Sequence, residues 1–402
     1  MMKRTGPTLL GVSPLVALLC SCCSTGTGVP EVPSRAQTTE KADVLILDEG
    51  IRSSSSEYDS DLMAGAGELG ARLGRLHALL VVRDNHLLFE KYFNGFDRDR
   101  EVNVKSVTKT VTAAVLGTAV REGHVRGIDE TVGRFFAPEL PGDADDRKAS
   151  ITLRHLITMT AGLECASPGG NDQMQDSPDW AGFVLRKRLL HPPGSVFEYS
   201  TGNMHLVSIA ITRATGSNTF DFARRTLFDP LGITVREWQR DPQGIPHGGN
   251  NLYLRPIDMA RFGLLFLQKG RYGGRQVLGS EWVDAALSLQ YDPGRLWSPF
   301  HLNGLGYMWW LFRLSQHDVV AAWGHGGQFI FVVPELRLVV VLASRWEEAS
   351  TPTPYYRELC RMMEVYVLPA FECRRRPATP QAAASEPSVD NRRRIRTALA
   401  DP

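Results

Sequence analysis

Strand-like apolar runs stand near both ends of this sequence and helical periodicity fills the stretch between them, which restricts the chain to folds whose sheet is assembled from sequence-distant halves. On the N-terminal side, Ala78-Leu79-Leu80-Val81-Val82 and Leu87-Leu88-Phe89-Glu90-Lys91-Tyr92-Phe93 flank the turn residues Arg83-Asp84-Asn85-His86, the pattern of a β-hairpin. Further runs come late, at 306–312, 319–323, 329–333 and 336–342, with Pro334-Glu335 turning the chain between the last two. Helical spacing marks 106–122, 152–160, 203–215, 219–227, 256–269 and 280–289, separated by turns rich in Gly and Pro. The expected fold is α/β in the α+β sense, an antiparallel sheet flanked by helices. Residues 61–105 and 300–372 supply its sheet region, and 106–299 form a large, mainly helical insertion.

With 402 residues, 43% of them hydrophobic and 22% charged, the chain has ample material for a large core. A net charge of +1 and the lack of a basic stripe interleaved with aromatics argue against nucleic acid as a partner and leave small-molecule chemistry. Lys3 and Arg4 precede an apolar run from Leu9 to Leu19, broken by Pro14, too short to span a bilayer as a mature helix. It reads as an export signal over residues 1–22. Leu19-Cys20-Ser21-Cys22 resembles a bacterial lipobox with Cys22 as the lipidated residue, giving a periplasmic or envelope-anchored lipoprotein; secretion with cleavage nearby is the other reading. Residues 23–60, rich in Ser, Thr, Pro and charge, are expected to be a flexible tether, 61–372 the folded body and 373–402 a disordered tail. Beyond the N-terminal cluster, Cys165, Cys360 and Cys373 are an odd number without zinc spacing, and no His-Glu-x-x-His occurs, so neither metal nor cofactor is expected.

Two familiar patterns lead nowhere. Gly65-Ala66-Gly67-Glu68-Leu69-Gly70 fits the dinucleotide fingerprint but follows no strand, and is read as a loop or helix start. The nucleophile elbow Gly-x-Ser-x-Gly is absent.

Ser106-Val107-Thr108-Lys109 places a hydroxyl and an amine on one face at the start of a helical segment that ends near Gly123. Ser-x-x-Lys arises by chance about once in a chain of this length, and a serine before a helix is also the residue type of an N-cap. Pro192-Pro193-Gly194-Ser195-Val196-Phe197-Glu198-Tyr199 brings a tyrosine, able to donate and accept a proton, to the start of another helix; taken alone, it reads first as a packed aromatic with a hydrogen-bonded hydroxyl. Trp323-Gly324-His325-Gly326-Gly327-Gln328 lies between two strand signals, either a strand edge open to a ligand or a plain glycine hairpin.

Together and in this order the three segments resemble the serine β-lactamase and penicillin-binding protein superfamily, in particular its class C β-lactamase-related branch of esterases, D-amino-acid peptidases and amide hydrolases. Supporting stretches include Gly127-Ile128-Asp129-Glu130, residues 151–163 and Asn250-Asn251-Leu252-Tyr253-Leu254-Arg255-Pro256-Ile257-Asp258, so the likeness covers about residues 65–370. The resemblance implies a β-lactamase/transpeptidase-like fold in which Ser106 attacks an ester or amide carbonyl and Lys109 and Tyr199 move protons. It implies an oxyanion hole from the backbone N–H groups of Ser106 and Gln328, with His325, Gly327, Thr201 and Asn203 facing substrate. Tyr199-Ser200-Thr201 departs from Tyr-x-Asn, with Asn203 two positions late, and His325-Gly326-Gly327 replaces Lys-Thr-Gly. A partly charged histidine is a weaker anchor for a substrate carboxylate than lysine. The expected activity is therefore hydrolysis of small esters or amides through an acyl-enzyme on Ser106. The alternatives are peptidoglycan D,D-peptidase or β-lactamase action, and a non-turnover cell-wall-binding or sensing protein. Trp309, Trp310 and Trp323 are expected in the core or along an acyl pocket.

Overall fold

The computed structural model describes residue 47 and residues 57–140, 146–167, 173–293, 301–347 and 352–372. The export signal, Cys22, most of the expected tether, the tail and Cys373 lie outside the described residues. Leu47 is an exception to the tether reading, since it is 6% exposed and its N–H donates to Tyr272 Oη at 3.2 Å.

The chain enters through α1 (Ser60–Arg72), capped by Asp59, whose carboxylate accepts from the N–H groups of Asp61 and Leu62. The strands β1 (Leu76–Arg83) and β2 (His86–Tyr92) form the expected hairpin, and β3 (Val102–Asn103) leads to the long α2 (Val107–Arg121). Next come α3 (Val132–Phe136), α4 (Leu153–Ile157), α5 (Trp180–Leu185), α6 (Thr201–Thr215), α7 (Thr219–Ala223) and α8 (Asp229–Leu231). A short β4 (Tyr253–Leu254) pairs with β3, followed by α9 (Pro256–Leu267), the small hairpin β5 (Arg271–Tyr272) and β6 (Arg275–Gln276), and α10 (Ser280–Ala286). The remaining strands are β7 (His301–Leu305), β8 (Trp310–Leu314), β9 (His317–Gly324), β10 (Gln328–Val333) and β11 (Leu338–Ser344), and α11 (Pro352–Arg361) and α12 (Leu368–Glu372) close the described fold.

The main sheet has the order β2-β1-β11-β10-β9-β8-β7 and each neighbouring pair is antiparallel. β1 reaches β11 through pairs such as Leu79 with Leu342, so the two ends of the sequence do close one sheet. β10 and β11 are buried at every position. Their continuous apolar runs, rather than alternation, reflect cover on both faces, with α2 and α9 packed against the later strands and α1 against β1. Helix α2 is buried from Val107 to Ala119. Apart from Lys109 it is therefore apolar, glycine or hydroxyl-bearing all round, as an interior helix must be, and three of its threonines bond to carbonyls: Thr108 Oγ1 donates to Lys105 O at 2.6 Å, Thr110 Oγ1 to Met308 O at 2.8 Å and Thr118 Oγ1 to Val115 O at 2.8 Å.

Some expectations need correction. Residues 306–312 are not one strand. Met308 adopts φ +60°, Gly306 N–H donates to Trp309 O at 2.8 Å, and Thr110 holds the Met308 carbonyl, so a turn separates β7 from β8. Gly65–Gly70 is neither loop nor helix start but the middle of α1, where missing side chains admit the rings of Tyr366 and Phe93. The sheet-region segments 61–105 and 300–372 also contain α1, α11 and α12, which the periodicity reading left without helices. Trp309 is fully buried between Phe262 and Phe266, a core residue and not a pocket wall.

The corner between β4 and α9 is held by Asp258. Its carboxylate, 0% exposed, accepts from Arg255 Nε at 2.7 Å, Arg255 Nη2 at 3.0 Å and Arg261 Nη1 at 2.8 Å. Burial pushes this carboxyl up, against the pull of the two arginines. Asp258→Ala is expected to cost about 3 kcal/mol, the low end for breaking a buried ion pair because both guanidiniums reach solvent; the shift of the urea unfolding midpoint measures it.

Candidate active site

The approach to Ser106 is strained and pinned. Val104 N–H donates to Leu252 O at 2.9 Å, continuing the β3–β4 pairing, and Lys105 then turns with φ +50°, its N–H donating to Asn103 Oδ1 at 2.9 Å. A non-glycine residue in that region costs energy that the surroundings must offset, a pattern that clusters at functional sites. Ser106 follows with helical angles, φ −69° and ψ −6°, and its side chain makes no cap bond. Ser106 thus occupies the N-cap position of α2 without using its hydroxyl to cap the helix. The hydroxyl faces Lys109 instead, with Nζ 3.0 Å from Oγ.

Lys109 is 0% exposed, and its ammonium also donates to Gly249 O at 2.7 Å. The same Nζ stands 5.0 Å from the centre of the Tyr199 ring, over its face. Among the described residues no carboxylate pairs with this amine. Its surroundings are a hydroxyl, a carbonyl and an aromatic face, a set that serves an amine acting on a neighbouring hydroxyl. Tyr199, half-buried, leans on Trp310 with ring centres 5.9 Å apart and directly precedes α6. The turn that delivers it is fixed by Gly194 N–H to Thr160 O at 2.7 Å and Glu198 N–H to Met159 O at 2.8 Å. Its carbonyl accepts from Cys165 Sγ at 3.1 Å.

The other expected residues divide. Thr201 N–H opens α6 by donating to Ser167 Oγ at 3.0 Å, and the Thr201 methyl lies against Gly249, at the site. Asn203 is 2% exposed and its Nδ2 points to Met159 Sδ at 3.8 Å, so a substrate-facing role is not what its placement offers. The Gly324–Gln328 turn joins β9 to β10, and a side chain on Gly324 would meet Val104 O at 2.3 Å, so the turn lies directly beside the segment leading to Ser106. Gln328 is 0% exposed, and its side chain is spent on Ser344, donating to O at 2.6 Å and accepting from N–H at 3.1 Å. Gly327 is buried with φ +99°. His325 reaches solvent, yet the partial loss of water around its ring, and then the charges of Lys105 and Arg75, lower its pKa. Burial and the two cations thus work against the charged form of the imidazole.

Two contributors went unnoticed in the sequence. Lys105, 9% exposed, lies with Nζ 3.4 Å from the centre of the Trp346 ring. Burial brings its pKa down to about 8, Glu347 opposing and Lys109 reinforcing. It borders a polar cavity of about 610 Å³ lined also by Asn103, Asp176, Glu237, Asn250 and Asn251. Gly249 supplies the second acceptor for Lys109; the pair Gly248-Gly249 ahead of Asn250 was the available signal of a close backbone approach. Among the described residues no group of three His, Cys, Asp or Glu side chains is placed to hold a metal ion.

Comparison with known proteins gives the context for this geometry. The beta-lactamase family model matches residues 65–359. The 6-aminohexanoate-dimer hydrolase of Paenarthrobacter ureafaciens is 24% identical over 299 residues, covering 68% of this chain and 74% of the relative. In fold the chain is similar to EstCE1, a hydrolase with promiscuous acyltransferase activity, with a TM-score of 0.62, 17% identity, and 77% of this chain and 99% of that one covered. It is also similar to the octameric penicillin-binding protein homologue from Pyrococcus abyssi, with a TM-score of 0.58, 17% identity, and coverage of 77% and 76%.

A side chain on Gly249 would put Cβ 2.7 Å from Thr201 Cγ2 and 3.0 Å from Thr201 O. Gly249→Ala is therefore expected to displace the carbonyl that Lys109 uses and to slow labelling of Ser106 by a fluorophosphonate about tenfold or more. Gel-based labelling rates, read beside the melting temperature, check this.

Proposed function

The chain belongs to the beta-lactamase family, and from that premise we propose that it is a serine hydrolase cleaving small esters or amides through an acyl-enzyme on Ser106. The observation that carries this reading is the uncapped Ser106 hydroxyl 3.0 Å from the buried Lys109 amine. Ser106 Oγ adds to the substrate carbonyl while its proton passes to the Lys109–Tyr199 pair. The developing oxyanion is taken by the backbone N–H groups of Ser106 and Gln328, each such donor being worth about 3 kcal/mol. The proton then goes to the departing alcohol or amine, and water, deprotonated by the same pair, releases the acid. The name of the Paenarthrobacter relative, a 6-aminohexanoate-dimer hydrolase, and that of EstCE1, a hydrolase with promiscuous acyltransferase activity, support this substrate range. The lowered pKa of His325 supports a preference for such substrates over β-lactams and peptidoglycan stems, whose carboxylate a less charged ring anchors more weakly.

In a panel of nitrophenyl esters, nitrocefin and D-alanyl peptides, short esters are expected to turn over at least about tenfold faster than the other two, with Ser106→Ala at background throughout. Absence of turnover and of fluorophosphonate labelling in a folded protein would sink the reading; stoichiometric acylation without release would favour the non-turnover alternative.

A second reading, recognition of carboxylate-bearing substrates, is favoured by one observation: the side chain of Lys105 borders the polar cavity beside the segment leading to Ser106. Lys105 is cationic below about 8 and loses that charge above it. If it attracts a substrate carboxylate, kcat/KM for a carboxylate-bearing ester falls relative to that for an uncharged ester as pH rises through about 8. Lys105→Met then abolishes the difference; pH profiles of the two esters measure it.

A further inference from the structure

We propose that His247 is a positioning residue for the Ser106–Lys109 pair, because its ring fixes the peptide whose carbonyl holds Lys109; this rests on the reading of Ser106 as nucleophile. Gly249 is gripped from two sides. Its N–H donates to His247 Nδ1 at 3.2 Å and its carbonyl accepts from Lys109 Nζ at 2.7 Å. A ring that accepts at Nδ1 is neutral and carries its proton on Nε2.

The ring is itself locked. His247 is 0% exposed, its carbonyl accepts from Trp238 Nε1 at 2.9 Å, and the Trp180 ring meets it nearly edge-on with centres 5.0 Å apart. The segment carrying it is a narrow loop bridged at Trp238 with Leu252 and at Arg240 with Pro246. At its tip Asp241 Oδ1 accepts from Gln243 N–H at 2.9 Å and Ile245 N–H at 2.8 Å. The other oxygen, Oδ2, lies 3.0 Å from His205 Nε2 on α6. Burial pushes the Asp241 carboxyl up, but His205 and the backbone N–H groups prevail and hold it below the usual range. Ser208 Oγ, also on α6, donates to Pro246 O at 2.8 Å. The loop is thus bolted to α6 by buried polar contacts, and His247 transmits that anchorage to the Gly249 carbonyl, which orients Lys109 towards Ser106.

The full-length protein tests this through two substitutions that separate packing from acceptor. His247→Asn keeps an acceptor two bonds from Cβ but loses most of the ring; His247→Phe keeps a ring against Trp180 and has no acceptor. Rates of Ser106 labelling by a fluorophosphonate and kcat on a nitrophenyl ester are read beside melting temperature. The expected result is a folded His247→Phe slowed about tenfold or more with KM within about twofold, and a His247→Asn within about threefold of wild type despite a lower melting temperature. The reverse order, or equal rates in the two variants, overturns the positioning role alone. Wild-type protein that fails to label, or labels undiminished in Ser106→Ala, overturns the underlying reading and the inference with it.

Discussion

A lysine amine with no exposure to solvent and no carboxylate partner among the described residues is a demanding object to build into a protein. Moving an ammonium out of water costs several kcal/mol even after relaxation, so the donors on Lys109 Nζ need partners placed around it. Ser106 Oγ comes from the same helix, Gly249 O from the loop on α6, and the Tyr199 face from the turn before α6. The interior of the helical region is organised around meeting that requirement.

The sheet contributes by holding these parts in register. Helix α2 packs on β9 and β10, and the Gly324–Gln328 turn joining those strands abuts Val104 just before Ser106. Strand β3, which precedes the strained Lys105, pairs with β4, whose corner into α9 is clamped by Asp258. The candidate nucleophile therefore sits where three rigid elements meet, the kind of support that keeps side chains within the narrow tolerance that chemistry requires.

Local rules found the elements whose signals are local. The hairpin of β1 and β2 and the strands β9 to β11 were readable because buried strands write themselves as apolar runs bounded by turn residues. The start of α2 was readable because two polar residues at helical spacing opened it. Other elements were hidden for physical reasons. Residues 306–312 look like one strand, but Thr110, almost two hundred positions away, captures the Met308 carbonyl and bends the chain. Helix α1 resembled a glycine loop because its small residues serve close packing against Tyr366 and Phe93. Asn203 looked available for substrate since its spacing from Tyr199 is legible, whereas its burial against Met159 is not.

By itself the sequence determined the class of the fold, the family likeness and the Ser106–Lys109 pair, because periodicity and an i,i+3 spacing are properties of neighbouring residues. Tertiary structure alone decided that the Ser106 hydroxyl faces Lys109 rather than capping its helix, that His325 stands near two cations, and that Gly249 meets the Lys109 amine with His247 behind it and the His205–Asp241 pair anchoring the same loop. Those facts depend on which distant segments share a dielectric environment and which carbonyl a buried donor finds, and such contacts leave no period in the chain.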